Sequence, residues 1–454
     1  MGEMKRCLVV LFLFCSASGW AQQDSLTVMT YNVLNYGDNC QGPPGQMHPL
    51  LRKIADFVQP DIVGLVKMQS IKTSAADMYG LSPLGFGDSI LNYVLNVYTP
   101  GKYAWCPFTN NSAATTSDLL LYNTRKLGYL KTFTLCTQIT DFDMYKLFYK
   151  DPNLSLHADT TFLYIVLNHT KSGTSSTVRD SQISSNLQEL RHLFSHLPNL
   201  INMGDFNLHN SSEPGYQQMV GTADSNFCFF DPPFFPDRKL VYPIDWDTNP
   251  TLCPAYLTTS TRLSPSIPNS CGTGGGAKSW YDHIVLSPWI ISGANYVKYR
   301  NNSYHTIGND GNRTSRSVND SSAGINSSAP DSIIEALYQF SNKYPVKLTL
   351  DLYSNIQGQS PPDPDLVAGI KEIQADMHWS VVNPVTDHLC MIGPDNGLSG
   401  VHITWMDMTG RELDSEWIQL DQGKGCVFSA HAKGMYWIRV NQKERQCIIP
   451  VIQM

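Results

Sequence analysis

The chain has 454 residues, 42% of them apolar and 16% charged, with a formal net charge of −7. That length and apolar content suffice for two or three cored domains and exclude a disordered chain. The acidic balance offers no broad basic surface, so tight non-specific nucleic-acid binding has no electrostatic source.

Residues 1–6, MGEMKR, are short and positive, and CLVVLFLFC behind them is apolar but too short to span a bilayer. Gly19 and Ala21 supply small residues at the cleavage positions, so residues 1–21 read as a secretory signal peptide cut after Ala21. No later stretch is apolar enough for a membrane span, which predicts a secreted or cell-surface protein. Of the 11 cysteines, two lie in this leader and six fall between Cys40 and Cys271. Outside the cytoplasm some are expected to pair, but six cysteines allow fifteen connectivities and the spacing selects none.

LTVMTYNVLNYG, from Leu26, alternates apolar and polar residues and predicts a strand. HPLLRKIADFVQ repeats apolar residues at helical spacing, at Leu50, Leu51, Ile54, Phe57 and Val58, and Pro60 ends it. DIVGLV follows as a buried strand. LLLYN from Leu119 and FLYIVLNH from Phe162 predict further strands, RDSQISSNLQELRHLF from Arg179 a helix, and LINMGDFN a strand ending in a turn. Residues 209–280, rich in Pro, Ser, Thr and Gly, read as a long functional or mobile loop. YDHIVLS is a short strand, DSIIEALYQF a short helix, and SNKYPVKLTLDLY a last strand of this region. Strands and helices mix without βαβ alternation, which favours an α+β sandwich. GQSPPDPD then marks a linker, and short turn-separated strands beyond it (HLCMIG, VHITWMDM, CVFSA, GMYWIRV) predict a small β-sandwich. The expected division is a leader at 1–21, a large domain at 24–353, a Pro-rich linker at 354–368 and the sandwich at 369–454.

Polar residues gather at the predicted strand ends. GDFN puts Asp205 and Asn207 two apart, on one side of an extended chain, where a carboxylate and an amide suit a hard cation and a phosphate oxygen. TYNVLNY places Asn32, NHTKSG places His169 and YDHIVLS places Asp282 at comparable positions. Packing does not account for such a set.

In these motifs, taken in order from Leu26 to Tyr353, the chain resembles the endonuclease/exonuclease/phosphatase family of metal-dependent phosphodiesterases. The resemblance implies a four-layered sandwich of two mixed β-sheets flanked by helices, with the site at one end. It implies Asn32 at the metal site, His169 at the phosphate or leaving group, Asp205 orienting water and Asn207 holding phosphate. Asp282 falls on the late Asp motif, and IGNDG, 307–311, is similar to a loop of secreted bacterial members.

Two motifs depart from the pattern. The family's second motif runs Pro-Asp-Ile, four residues, then Glu, the main metal ligand; here PDIVGLVK puts Lys67 there. The last motif runs Ser-Asp-His-Tyr-Pro-Val; here SNKYPV puts Asn342 for Asp and Lys343 for the general-base His. A lysine of ordinary basicity is protonated at neutral pH and accepts no proton, and a missing general base costs about 10²–10⁴-fold in rate. The expectation is a catalytically impaired homologue in which the Lys67 ammonium neutralises Asp205, the two lysines facing a phosphate-containing ligand and no cofactor bound. An active Mg²⁺- or Mn²⁺-dependent extracellular nuclease or phosphodiesterase is the alternative, with Asp61, Asp245 or Asp247 as substitute ligand. A surface interaction module using the fold as scaffold is a third.

In the tail, WSVVNPVTDHL, HITWMDMTGREL and KGMYWIRV are similar to the C-terminal sorting domain of proteins exported by type IX secretion in Bacteroidetes, though a full Pro-Asn-Pro is lacking and CIIPVIQM carries few basic residues. That resemblance makes the type IX machinery an expected partner.

Overall fold

The computed structural model describes residues 24–69, 85–154, 159–222, 224–234, 245–266 and 268–355, and in the tail 380–381, 388–392, 400–407, 411–421, 424–428, 431–442 and 445–453. The leader and nearly all of the Pro-rich linker lie outside the described residues. The chain forms two compact units that divide after Pro362.

The first unit is α+β, with two mixed β-sheets and helices. In the first sheet, β1 (Asp24–Tyr36) runs parallel to β2 (Ile62–Gln69) and antiparallel to β12 (Val346–Leu352). β3 (Tyr103–Trp105) and β4 (Thr116–Asn123) extend it beyond β2. β10 (Val297–Tyr299) and β11 (His305–Thr306) pair with β12. The second sheet has the order β5 (Leu127–Cys136), β6 (Phe142–Tyr149), β7 (Phe162–His169), β8 (Leu200–Asp205), β9 (Asp282–Leu286). Only β7 and β8 are parallel there.

The sheets meet face to face through one apolar core. Gly64 of β2 shows how closely: a Cβ there would stand 2.5 Å from Leu167 Cδ2 of β7 and 2.7 Å from Met203 Cε of β8. Helix α1 (Pro44–Val58) buries Met47, Leu51, Ile54, Ala55 and Val58 and packs against α6 (Asp331–Phe340). Phe57, expected on the buried face, is 39% exposed, because the stripe is carried by Met47, Leu51, Ile54 and Val58 instead. The helix stops at Gln59, in the left-handed region at φ 50°, just before Pro60, which cannot continue it. On the second sheet, α3 (Ser176–Leu193) packs on β5 and on α4 (Pro214–Val220). A short α2 (Phe86–Ile90) and α5 (Pro288–Ser292) complete the helices used below.

The long loop is pinned rather than loose where it is described. Cys40 and Cys271 are bonded to one another, and Asn309 of IGNDG donates to the carbonyls of Pro254 and Leu257.

In the second unit, β13 (Ser380–Val381), β14 (His388–Ile392) and β17 (Lys424–Phe428) form one sheet. β15 (Gly400–Met406), β16 (Glu412–Gln419), β18 (Gly434–Gln442) and β19 (Arg445–Gln453) form the other, in the order β16-β15-β18-β19. Leu389, Met391, Val401, Ile403, Trp405, Ile418, Ile438, Val440 and Val451 make their common core. Cys390 and Cys426, directly opposed on β14 and β17, are disulfide-bonded.

Candidate functional site

Strand register brings the polar strand ends to one place. His169 pairs with Asp205 between β7 and β8, and Asp205 with Asp282 between β8 and β9. Asn32 in β1 donates from Nδ2 to Asp205 Oδ2 at 2.8 Å, joining the sheets. Its own Oδ1 accepts the Leu34 N–H at 3.0 Å.

Gly204 makes the close approach possible. It sits at φ 141°, and a Cβ there would lie 1.9 Å from the Asn168 carbonyl oxygen of β7. Gly204→Ala is expected to cost more than about 2 kcal/mol, through a strained backbone and a parted β7–β8 pair. A fall in the denaturant midpoint checks this.

Asp205 and Asn207 do not share an extended face, as alternation implied. β8 ends at Asp205, and Asn207 turns to φ 49°. There its N–H donates to Asp205 Oδ1 at 3.1 Å and its Nδ2 to the Thr170 carbonyl at 3.0 Å. The polar side chain thus closes a tight turn at the strand end.

Lys343 is the centre of the cluster. Its Nζ stands 2.9 Å from Asp205 Oδ2 and 3.6 Å from Asp282 Oδ2. It also lies 4.8 Å from the Tyr281 ring centroid, over the face of the ring. The extended Lys343 backbone bridges Thr259 of the long loop, and its N–H is held by Ser341 Oγ. Asn342 donates to Thr273 Oγ1 at 2.9 Å. The expectation that Lys67 would neutralise Asp205 is corrected here: Lys343 forms that ion pair, because the loop against β9 delivers it to both carboxylates.

Lys67 occupies a bulge. The β1–β2 and β2–β4 registers both slip around it, and its φ is 61°. Its N–H is tied to Asp118 Oδ1 at 3.1 Å. The side chain is half-buried and within electrostatic reach of Asp205, Lys343 and Asp282.

Charge states follow from burial and neighbours. Burial raises the Asp205 carboxyl, but Lys343, His169 and the Lys343 and Asn32 donors overcome it and hold the group down at about 2. Asp282, fully buried, is pushed up to about 7: desolvation, with Asp205 adding, exceeds the pull of Lys343. Desolvation would lower Lys343, but the two carboxylates outweigh it and its pKa is raised. Lys67 goes the other way, since desolvation and the Lys343 charge exceed what Asp205 and Asp282 give back. Desolvation takes His169 down to about 4, leaving a neutral ring whose Nδ1 is buried without a partner.

This donor set does not fit a divalent cation. The Lys343 ammonium stands beside both Asp205 and Asp282, and the Asn32 amide presents its nitrogen, not its oxygen, to Asp205. A metal needs acceptor oxygens where these donors are. Among the described residues, the only three acid, histidine or cysteine donors converging within 4.8 Å are Asp38, Cys40 and Cys271, two of them in a disulfide.

The substitute ligands considered from sequence lie elsewhere. Asp61 opens β2 at the strand end opposite Lys67, where it holds Thr27 N–H, Asn123 Nδ2 and the Lys126 ammonium. Asp245 caps its own turn through the Asp247 and Thr248 N–H groups. Asp247 binds His209 Nδ1 at 2.7 Å and Tyr281 Oη at 3.0 Å. His209 Nε2 faces the Gly173 carbonyl at 3.1 Å, so acceptors meet both ring nitrogens. The Asp247 hydrogen bond raises the His209 pKa above its ordinary value. Sequence reading missed His209, Tyr281 and Asp118. His209 continues the every-second-residue spacing of Asp205 and Asn207, and Asp118 is a lone acid opening an apolar strand, so a signal existed for both.

No protein-family model matches the chain, and no curated protein matches it. Solved structures to which it is similar have the endonuclease/exonuclease/phosphatase fold. Danio rerio TDP2 complexed with single-strand DNA product is 14% identical, over 72% of this chain and 98% of that one, with a TM-score of 0.43. An endonuclease/exonuclease/phosphatase family protein from Bacteroides thetaiotaomicron is 13% identical, over 73% and 96%, at 0.41. The mannosyl-6-phosphatase of the same organism is 13% identical, over 72% and 99%, at 0.42.

Proposed function

We propose that this is a secreted, catalytically impaired phosphodiesterase-like protein whose cleft binds a phosphate-containing ligand. One observation carries the reading: the Lys343 ammonium lies between Asp205 and Asp282, where a hydrolase of this kind needs a metal and a base. With Lys343 protonated and Asp205 ion-paired to it, the groups at that position cannot take a proton from water, and burial leaves the His169 ring a weak base. What the cleft does hold is donors: Lys343 Nζ and the His169 ring, with the half-buried Lys67 within electrostatic reach. The leader and the sorting-like tail support export through the type IX route.

Purified protein is expected to show no chelator-sensitive turnover of DNA, RNA or an activated phosphodiester with Mg²⁺ or Mn²⁺. Turnover abolished by chelator overturns the reading. Calorimetric titration with inorganic phosphate is expected to show binding that weakens about tenfold in Lys67→Ala. Binding of dimethyl phosphate, a monoanion throughout this range, should weaken as pH rises through about 7, because Asp282 then adds negative charge beside Asp205 while Lys343 stays charged. Binding that strengthens over that range contradicts the assignment.

A further inference from the structure

His209 has no part in the function proposed above, yet both of its ring nitrogens are committed. Nδ1 is 2.7 Å from Asp247 Oδ2, and Nε2 is 3.1 Å from the Gly173 carbonyl oxygen. A neutral imidazole carries one N–H and satisfies one such acceptor; only the imidazolium satisfies two. The residue is fixed between them. Its backbone N–H donates to Glu213 Oε1 at 2.9 Å, and the Tyr281 ring lies against its own at 5.3 Å between centroids.

The two acceptors belong to different loops. Gly173 lies in the exposed stretch that follows His169, and Asp247 lies in the long loop, where it also accepts from Ser279 Oγ and Tyr281 Oη. The face of Tyr281 carries the Lys343 ammonium, so the histidine bridges two loops at the edge of the cleft. The other charged or titratable groups facing it are Glu213, Arg179 and Tyr281, with Lys343 beyond the Tyr281 ring. Glu213 is ion-paired with Arg179, and Asp245 is spent on the Asp247 and Thr248 N–H groups.

We propose that His209 is a pH-operated clasp: doubly protonated, it ties the 171–175 loop to the Asp247 loop, and on losing a proton it releases its hold on Gly173. The His209 hydrogen bond holds the Asp247 carboxyl down at about 2, so the carboxylate stays ionised and keeps the proton on Nδ1. The proton lost is therefore the one on Nε2, which then turns a lone pair on a carbonyl oxygen. The 171–175 loop is left hanging on Arg179, which donates to the Lys171 and Gly173 carbonyls, and on Gln182, which accepts the Lys171 N–H. A histidine whose pKa is raised in the fold contributes stability that is whole below its unfolded value of about 6.5 and is lost as pH rises through the folded one.

Two measurements on the full chain test this. In histidine-labelled protein, with His209 assigned by its loss in His209→Gln, the NMR titration should place the His209 midpoint above about 6.5, with both ring nitrogens protonated at pH 6. Asp247→Asn should lower that midpoint. Trypsin cleavage after the exposed Lys171, corrected for the protease's own pH dependence with a small substrate, should speed up about threefold or more between pH 6 and pH 9. His209→Gln should be cut at the fast rate at both pH values, and Asp247→Asn should speed up at a lower pH than the native chain. A native midpoint at or below about 6.5, a ring nitrogen without its proton at pH 6, a midpoint that Asp247→Asn leaves in place, or a native cleavage rate that ignores pH overturns the clasp. So does slow cleavage of His209→Gln at pH 6, because the loop is then held without the imidazolium.

Discussion

Lys343→Met is expected to cost the fold about 3–5 kcal/mol at pH 8, read as a lower urea midpoint at unchanged slope. Methionine keeps much of the side-chain volume and removes the charge. Asp205, 1% exposed, is then left with only the Asn32 and Asn207 donors, and Asp282, fully buried, with no cation. Breaking a buried pair by deleting one partner is far worse than never having had it.

The pH dependence gives the mechanism a signature. In the native chain the depressed Asp205 group contributes stability that is present above its unfolded value of about 3.9 and lost as pH falls through about 2. Asp282 has the opposite sign. Its carboxyl stays protonated in the fold up to about 7 while the unfolded chain has ionised, so stability falls as pH rises from about 4 to about 7. Without Lys343 both acids follow the second pattern, and the deficit should be larger at pH 8 than at pH 5. A double variant, Lys343→Met with Asp205→Asn, should recover more than half of it. An equal deficit at both pH values, or none, means the ammonium is not the counter-ion.

How much of this was legible depends on how local each signal is. His169, Asp205 and Asp282 could be located because each interrupts an apolar run at the end of a strand, and Asn32 because it interrupts one inside β1, which continues to Tyr36; parallel and antiparallel pairing then brings them together. The β5–β6 hairpin was not legible, since β5 alternates weakly and β6 carries Asp143 and Lys146 within an otherwise buried strand. Which lysine meets Asp205 was a tertiary fact. Lys67 and Lys343 look alike in sequence, and the choice was made by a bulge at one and a loop bridge to Thr259 at the other. The turn ending LINMGDFN was legible, but the shared face of Asp205 and Asn207 was not kept: period-two alternation holds only while the strand continues, and β8 stops at Asp205.

Replacing Lys67 by Glu, Asn342 by Asp and Lys343 by His together is expected to convert the cleft into a divalent-cation site. At 4 Å and an effective dielectric near 20, each unit charge pair is worth about 4 kcal/mol. Lys67→Glu changes the charge by two units against a doubly charged ion, and Lys343→His removes a cation that stands 2.9 Å from Asp205. Solvent and geometry take back most of that, yet a gain of at least about a hundredfold in Mn²⁺ affinity, some 2.7 kcal/mol, is a small remainder of it. The metal-free variant gathers Asp205, Asp282 and two new acids with no counter-ion, so it should melt well below the native chain. Mn²⁺ binds the folded state alone and should restore its melting temperature, with no such rise in the native chain. Calorimetric titration of both proteins with Mn²⁺ checks the affinity directly. Equal binding by the two means that Lys67 and Lys343 do not exclude the ion, and the impaired-enzyme reading goes with them.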